Sequence, residues 1–131
     1  FDAVDTAAAC LAIMAPMLAT MTVKEENMRS AAERGFINAT DLADYLTSRG
    51  LPFRDAYKLV GRIVTLCGEQ GATLETLPLA TYQSLSPLFD ETLYSAISLD
   101  ACVARRTSEG GCSPASVLQQ VAQVRAVLAG A

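Results

Sequence analysis

Apolar residues recur along this chain with a helical period, and the breaks between periodic stretches fall on glycine, proline or a capping side chain. The segment from Thr6 to Val23 carries no charge and approaches the length of a membrane span. Its composition points elsewhere: Ala and Thr dominate, Pro16 interrupts it, and Asp2 and Asp5 precede it where a signal peptide would be positive. A helix packed among other helices is the expectation, ending near Met21. Thr22 followed by Glu25 has the spacing of a capping box and predicts a short polar helix through Arg34, stopped by Gly35.

Asn38 suits the N-cap of the next helix, with Asp41 in its first turn, Leu42, Ala43 and Leu46 on one face, and Gly50 closing it after Arg49. Pro52 then opens the clearest amphipathic helix, in which Phe53, Ala56, Tyr57, Val60, Val64 and Cys67 recur on one side. That helix is expected to run to Gln70 and stop at Gly71, with Gly61 either permitting a close helix crossing or merely tolerated. Pro78 and Pro87 punctuate short helices between Ala72 and Pro87. Two more pieces follow at Asp90 to Ile97 and Leu99 to Arg106, the second capped by Ser98. Gly110 and Gly111 form a turn, and Ser113 with Pro114 opens a last helix whose Val117, Val121, Val124 and Leu128 form a stripe expected to dock on the rest.

Composition agrees with an all-α fold: the 131 residues are 51% hydrophobic but only 6% aromatic, a balance that suits close-packed helices. This length is enough for one domain that folds without disulfides or metal. The net charge of -4, with no run of Lys or Arg, argues against a nucleic-acid partner. Cys10, Cys67, Cys102 and Cys112 are widely spaced and there is no histidine, so a zinc site is disfavoured and free thiols in a reducing cytosol are expected.

The lack of histidine also removes the commonest general base and the usual partner of a nucleophilic Ser or Cys. Gly110 to Pro114 matches neither the P-loop nor the dinucleotide fingerprint, and a turn plus a cap explains each residue. Asp41, Asp44, Asp55, Asp90 and Glu91 read as first-turn or solvated charges without a metal-ligand set. Arg49 with Arg54, and Arg105 with Arg106, could grip a carboxylate; helix-end pairing or an ion pair across a subunit contact is the simpler role. The sequon Asn38-Ala39-Thr40 is explained by capping.

The block Asn38 to Gly61 reads NATDLADYLTSRGLPFRDAYKLVG, and it resembles the C-terminal region of argininosuccinate lyases. So do Phe1 to Thr6, Leu77 to Leu79, Ser86 to Phe89 and Ser98 to Gly111, in the same order, so the likeness spans nearly the whole chain. The matching positions are Asn38, Thr40, Asp41, Leu42, Tyr45, Leu46, Pro52, Phe53, Arg54, Gly61, Arg105, Gly110 and Gly111. The resemblance implies membership of the fumarase and aspartase superfamily, which includes the delta-crystallins. It implies cleavage of argininosuccinate to arginine and fumarate by β-elimination, as part of cytoplasmic arginine biosynthesis, without metal or organic cofactor.

In that family the catalytic serine lies on a mobile G-S-S-x-M-P loop, and neighbouring subunits of a homotetramer complete the site. None of those motifs occurs here, so no catalytic, cofactor-binding or metal-ligating residue is assigned, and this piece is expected to be structural and inactive alone. The expected organisation is residues 1–22 as the end of a central-bundle helix and 23–131 as a small C-terminal helical domain. The first helix, lacking its bundle partners, is expected to self-associate or fold back onto that domain. Its partners would be the other subunits of the parent, with no nucleic acid and no membrane. Two alternatives are a stand-alone helical interaction module and a repurposed enzyme using residues around Arg49 to Asp55.

Overall fold

Side-chain periodicity is realised as eight α-helices, and no strand occurs among the described residues, 1–130 of a computed structural model. They are α1 (Asp2–Thr20), α2 (Glu25–Glu33), α3 (Ala39–Ser48), α4 (Phe53–Gln70), α5 (Leu79–Leu85), α6 (Thr92–Ile97), α7 (Leu99–Ala104) and α8 (Pro114–Ala129). The chain divides into two compact units, Phe1–Ala31 and Ala32–Ala131.

In the first unit α1 continues through Pro16 rather than breaking there. The missing proline N–H leaves one carbonyl of the preceding turn without its usual partner, and the exposed helix lets water supply it. Helix α1 is long and apolar enough to cross a membrane by length and composition, and none of its residues is buried. Helix α2 starts at Glu25, with the Lys24 carbonyl accepting the first intrahelical bond, so Thr22 lies outside the N-cap position expected of it. The residue forced into the left-handed region after α2 is Phe36, at φ 49°, rather than Gly35.

The second unit holds the core. Helix α3 packs against both α4 and α6, and α6 against α7. Leu42, Leu46, Ala56, Ile63, Leu93 and Ile97 are fully buried where these helices meet. Tyr82 and Phe89 seal the core, their ring centroids 5.0 Å apart, and the Tyr82 hydroxyl donates to the Leu74 carbonyl at 2.7 Å. A phenol buried this deeply needs such an acceptor. Tyr94 does the same for the Leu77 carbonyl, so two hydroxyls pin the non-helical segment before α5.

The boundaries of α4 follow the sequence, with Gly71 at φ 63° as its left-handed C-cap. Its buried face does not: Ala56, Val60, Ile63 and Cys67 form it, while Phe53 and Tyr57 are 51% and 67% exposed. The last helix departs further. Val117, Val121, Val124 and Leu128 are all exposed, and Ser116 is the only buried residue of α8. Helix α8 is held at its start: Ser113 caps it through Ser116 N–H, and Gln120 donates to the Gly111 carbonyl at 3.0 Å.

These burials set the relative cost of truncation. Ile63→Ala should lower unfolding free energy by about 2–5 kcal/mol, whereas Val121→Ala should stay within about 0.5 kcal/mol. Urea denaturation followed by circular dichroism measures both.

Candidate functional site

The polar side chains in the second unit gather into two clusters, each built on α3. One face of α3 carries Asp41 and Asn38 toward α6 and α7. Asp41 is 2% exposed, so its carboxylate must be matched by charge and hydrogen bonds to be tolerated. Arg105 and Arg106 supply them, each 2.8 Å from a different carboxylate oxygen. The same Arg105 guanidinium donates to the Ala96 carbonyl at 2.7 Å and lies 3.7 Å from the Cys102 sulfur. Its own pKa is raised, first by the hydrogen bond to Asp41.

Asn38 occupies the N-cap position, but its side chain caps nothing. It donates to the Glu75 carboxylate and to the Ile97 carbonyl at 2.9 Å, tying α3 to the loop before α5 and to the end of α6. The capping role read from sequence is therefore corrected: a buried amide with two distant acceptors gains more from them than from its own helix. Likewise the first-turn charge Asp41 is a buried ion-pair centre rather than a solvated one, because the two arginines that follow α7 reach it.

The second cluster joins α3 to the start of α6. Arg49 reaches Asp90 at 2.6 Å, the Leu88 carbonyl at 3.0 Å and Thr92 at 2.8 Å, and its guanidinium lies 4.3 Å above the Tyr45 ring. Tyr45 donates to Asp90 at 3.1 Å and stacks on Phe89. Asp90 is thereby held well below the usual carboxylate range, first by the Thr92 hydroxyl and then by Arg49. Of the four arginines considered as carboxylate grips, Arg49, Arg105 and Arg106 are thus spent within the chain, and Arg54 stands exposed. No local sequence signal pairs residues forty or more positions apart. The one available hint was the placement of Tyr45 and Arg49 four apart on one helix face.

The remaining family-pattern residues are spread out. Leu42 and Leu46 lie in the core; Pro52 is the N-cap residue of α4; Phe53, Arg54, Thr40 and Gly61 are exposed. Gly61 has open space where a Cβ would stand, so among the described residues no helix packs closely on it. Gly110 takes φ 73°, and a Cβ on Gly111 would collide with the Arg106 and Ser108 carbonyls, which makes the turn before α8 specific to glycine at both positions. The four cysteines are free thiols, Cys67 and Cys102 buried and Cys10 and Cys112 exposed. Among the described residues no cluster of potential metal ligands occurs.

An all-helical domain whose polar side chains lock its own helices together is what the fold and these clusters define. Residues 36–104 match the family model described as argininosuccinate lyase C-terminal, and the chain belongs to that family. It is 49% identical to the argininosuccinate lyase of Desulforamulus reducens over 125 residues, covering 95% of this chain and 27% of that protein. The corresponding enzyme of Pelotomaculum thermopropionicum is 50% identical over 125 residues with the same coverage, and that of Bacillus cytotoxicus 52% identical over 111 residues, 85% of this chain and 24% of the relative. The chain thus spans about a quarter of the length of these curated relatives.

Burial controls the thiols. The Cys102 pKa is pushed up to about 11, first by burial and then by Asp41, and burial raises Cys67 as well. At about pH 8, iodoacetamide should modify Cys10 and Cys112 in the native chain and all four only after urea unfolding, as read by intact mass. Because the folded thiols keep their protons to higher pH than the unfolded ones, the folded state binds more protons in this range. The contribution of Cys102 is complete below the ordinary thiol value of 9.0 and is lost as pH rises through about 11. The urea midpoint should fall over that interval, and Cys102→Ala should flatten the fall.

Asp41→Ala should cost about 2–4 kcal/mol, since two charge-assisted hydrogen bonds are lost and two guanidiniums are left to solvent. Equilibrium denaturation against the wild-type chain checks it.

Proposed function

We propose that this chain is the C-terminal helical domain of an argininosuccinate lyase, and that it supports catalysis by scaffolding and subunit packing. The parent enzyme would cleave argininosuccinate into arginine and fumarate by β-elimination. The observation that carries this reading is the near-complete coverage of this chain at about half identity by lyases roughly four times its length. The internal use of Asp41, Arg49, Asp90, Arg105 and Arg106 supports it, because groups locked in tertiary ion pairs hold a domain together rather than wait for substrate.

Residues 1–22 would end a helix of a central bundle, and other subunits of a cytoplasmic homotetramer would cover it. The wholly exposed apolar surface of α1 supports such a partner. On this reading the isolated chain does not perform the elimination.

Two assays test the two halves of the proposal. The purified 131-residue chain should release no fumarate from argininosuccinate above the buffer rate, followed by ultraviolet absorbance; turnover comparable to an intact lyase would refute the scaffold role. A chimera of the Desulforamulus reducens enzyme carrying this chain in place of its matching region should retain fumarate release and assemble as its parent does. A chimera that assembles correctly but is inert would count against the assignment.

A further inference from the structure

Helix α4 has two apolar seams, and only one of them is used. Ala56, Val60, Ile63 and Cys67, at steps of four, three and four, face the core. Phe53, Tyr57, Gly61 and Val64, at steps of four, four and three, form a second seam on the flank of the same helix, and three of these four are exposed. Steps of four and three are the pattern by which one helix packs its side chains into another. The seam carries one nearly flat depression of about 480 Å³ among Phe53, Arg54, Tyr57 and Lys58, and a deeper one of about 260 Å³ from Tyr57 past Gly61 to Val64, walled by Ala39 and Thr40 of α3.

Along the outer edge of this seam stand Arg54, Lys58 and Arg62, each one helical turn from the next. All three are exposed, and none has an ion pair among the described residues. They do so on a chain whose net charge is -4. A row of unpaired cations beside an apolar seam has a defined complement.

We propose that the α4 flank is a docking surface for an amphipathic helix of a protein partner, apolar along one seam and carrying Asp or Glu at its edge. This goes beyond the lyase assignment and does not depend on it. Gly61 marks the point of closest approach, since the space beside it is open and the neighbouring Tyr57 and Val64 form the walls of a notch. A phosphate backbone fits less well, because Asp55 and Glu69 interrupt the exposed charge of α4 and the chain as a whole is acidic. The same net charge opposes an anionic membrane.

The test is fluorescence anisotropy with the full chain and two labelled peptides of about 18 residues, long enough for helix formation against a surface. Both carry Leu at the four seam positions; one is flanked by Glu and the other by Lys. The Glu peptide should bind, the Lys peptide should not, and binding should weaken at least about tenfold as salt rises from about 0.1 to about 1 M, where screening shortens from about 10 to about 3 Å. The double variant Lys58→Glu with Arg62→Glu should lose binding by a similar factor. Gly61→Leu, which has room in the fold but fills the notch, should lose it while leaving the circular dichroism spectrum unchanged.

Equal binding of the two peptides, no binding of either, or unaltered affinity in both variants would overturn the proposal. So would displacement of the Glu peptide by single-stranded RNA or by phosphatidylserine vesicles. Concentration-dependent self-association in sedimentation velocity that Gly61→Leu abolishes would assign the seam to a second copy of this chain instead.

Discussion

A single carboxylate, that of Asp41, sets the terms for the second unit. Burying it is unfavourable unless positive charge is brought to it, and the positive charge comes from Arg105 and Arg106, more than sixty residues away. Satisfying Asp41 therefore fixes where α7 ends relative to where α3 begins. Once that distance is fixed, Asn38 can reach the Ile97 carbonyl and the Glu75 carboxylate, and the Cys102 sulfur comes to lie against the Arg105 guanidinium. The apolar core would tolerate several relative rotations of these short helices. Directional hydrogen bonds at Asp41 and Asn38 select one of them.

The second cluster does for the far end of α3 what Asp41 does for its start. Arg49 draws Asp90, Thr92 and the Leu88 carbonyl to the helix C-terminus, and Tyr45 fills the space between the guanidinium and Phe89. Helix α3 is thus clamped at both ends by charge and along its middle by Leu42 and Leu46. Little of this chemistry is left unpaired within the second unit, and the α4 flank is the feature that its tertiary contacts do not use.

Most helix boundaries after α3 were legible in the sequence because local rules decide them. Ser98 and Ser113 cap α7 and α8 as their positions suggest, and Gly71 takes the left-handed conformation that ends α4. Which face each helix buries was less legible, because periodicity cannot separate two adjacent apolar seams on one helix. Phe53 and Tyr57 are as apolar and as well spaced as Ala56 and Val60, yet they lie outside. The stripe of α8 misled for the same reason: valines at helical spacing state that a face is apolar, not that this chain contains its partner. Long-range polar pairs were not legible at all. Nothing near Asn38 foretells Glu75, and an asparagine before a helix looks like a cap whether or not its amide is pulled away. The family likeness was legible because it depends on residue order rather than on packing.

The attachment of α8 has a mechanical side. With no buried apolar flank, this helix takes its direction from its root, where the Arg106 carbonyl receives the Ser113 N–H, the Gly111 N–H bonds to the Ser108 carbonyl, and glycine alone fits between them. The sixteen residues beyond project from a root made of a few peptide groups and the Ser113 and Gln120 side chains. Arg106 belongs to both arrangements: its side chain holds Asp41 while its carbonyl accepts from Ser113 at the root of the helix. The turn that looks like a simple connector therefore ties the direction of the last helix to the same residue that holds the buried carboxylate.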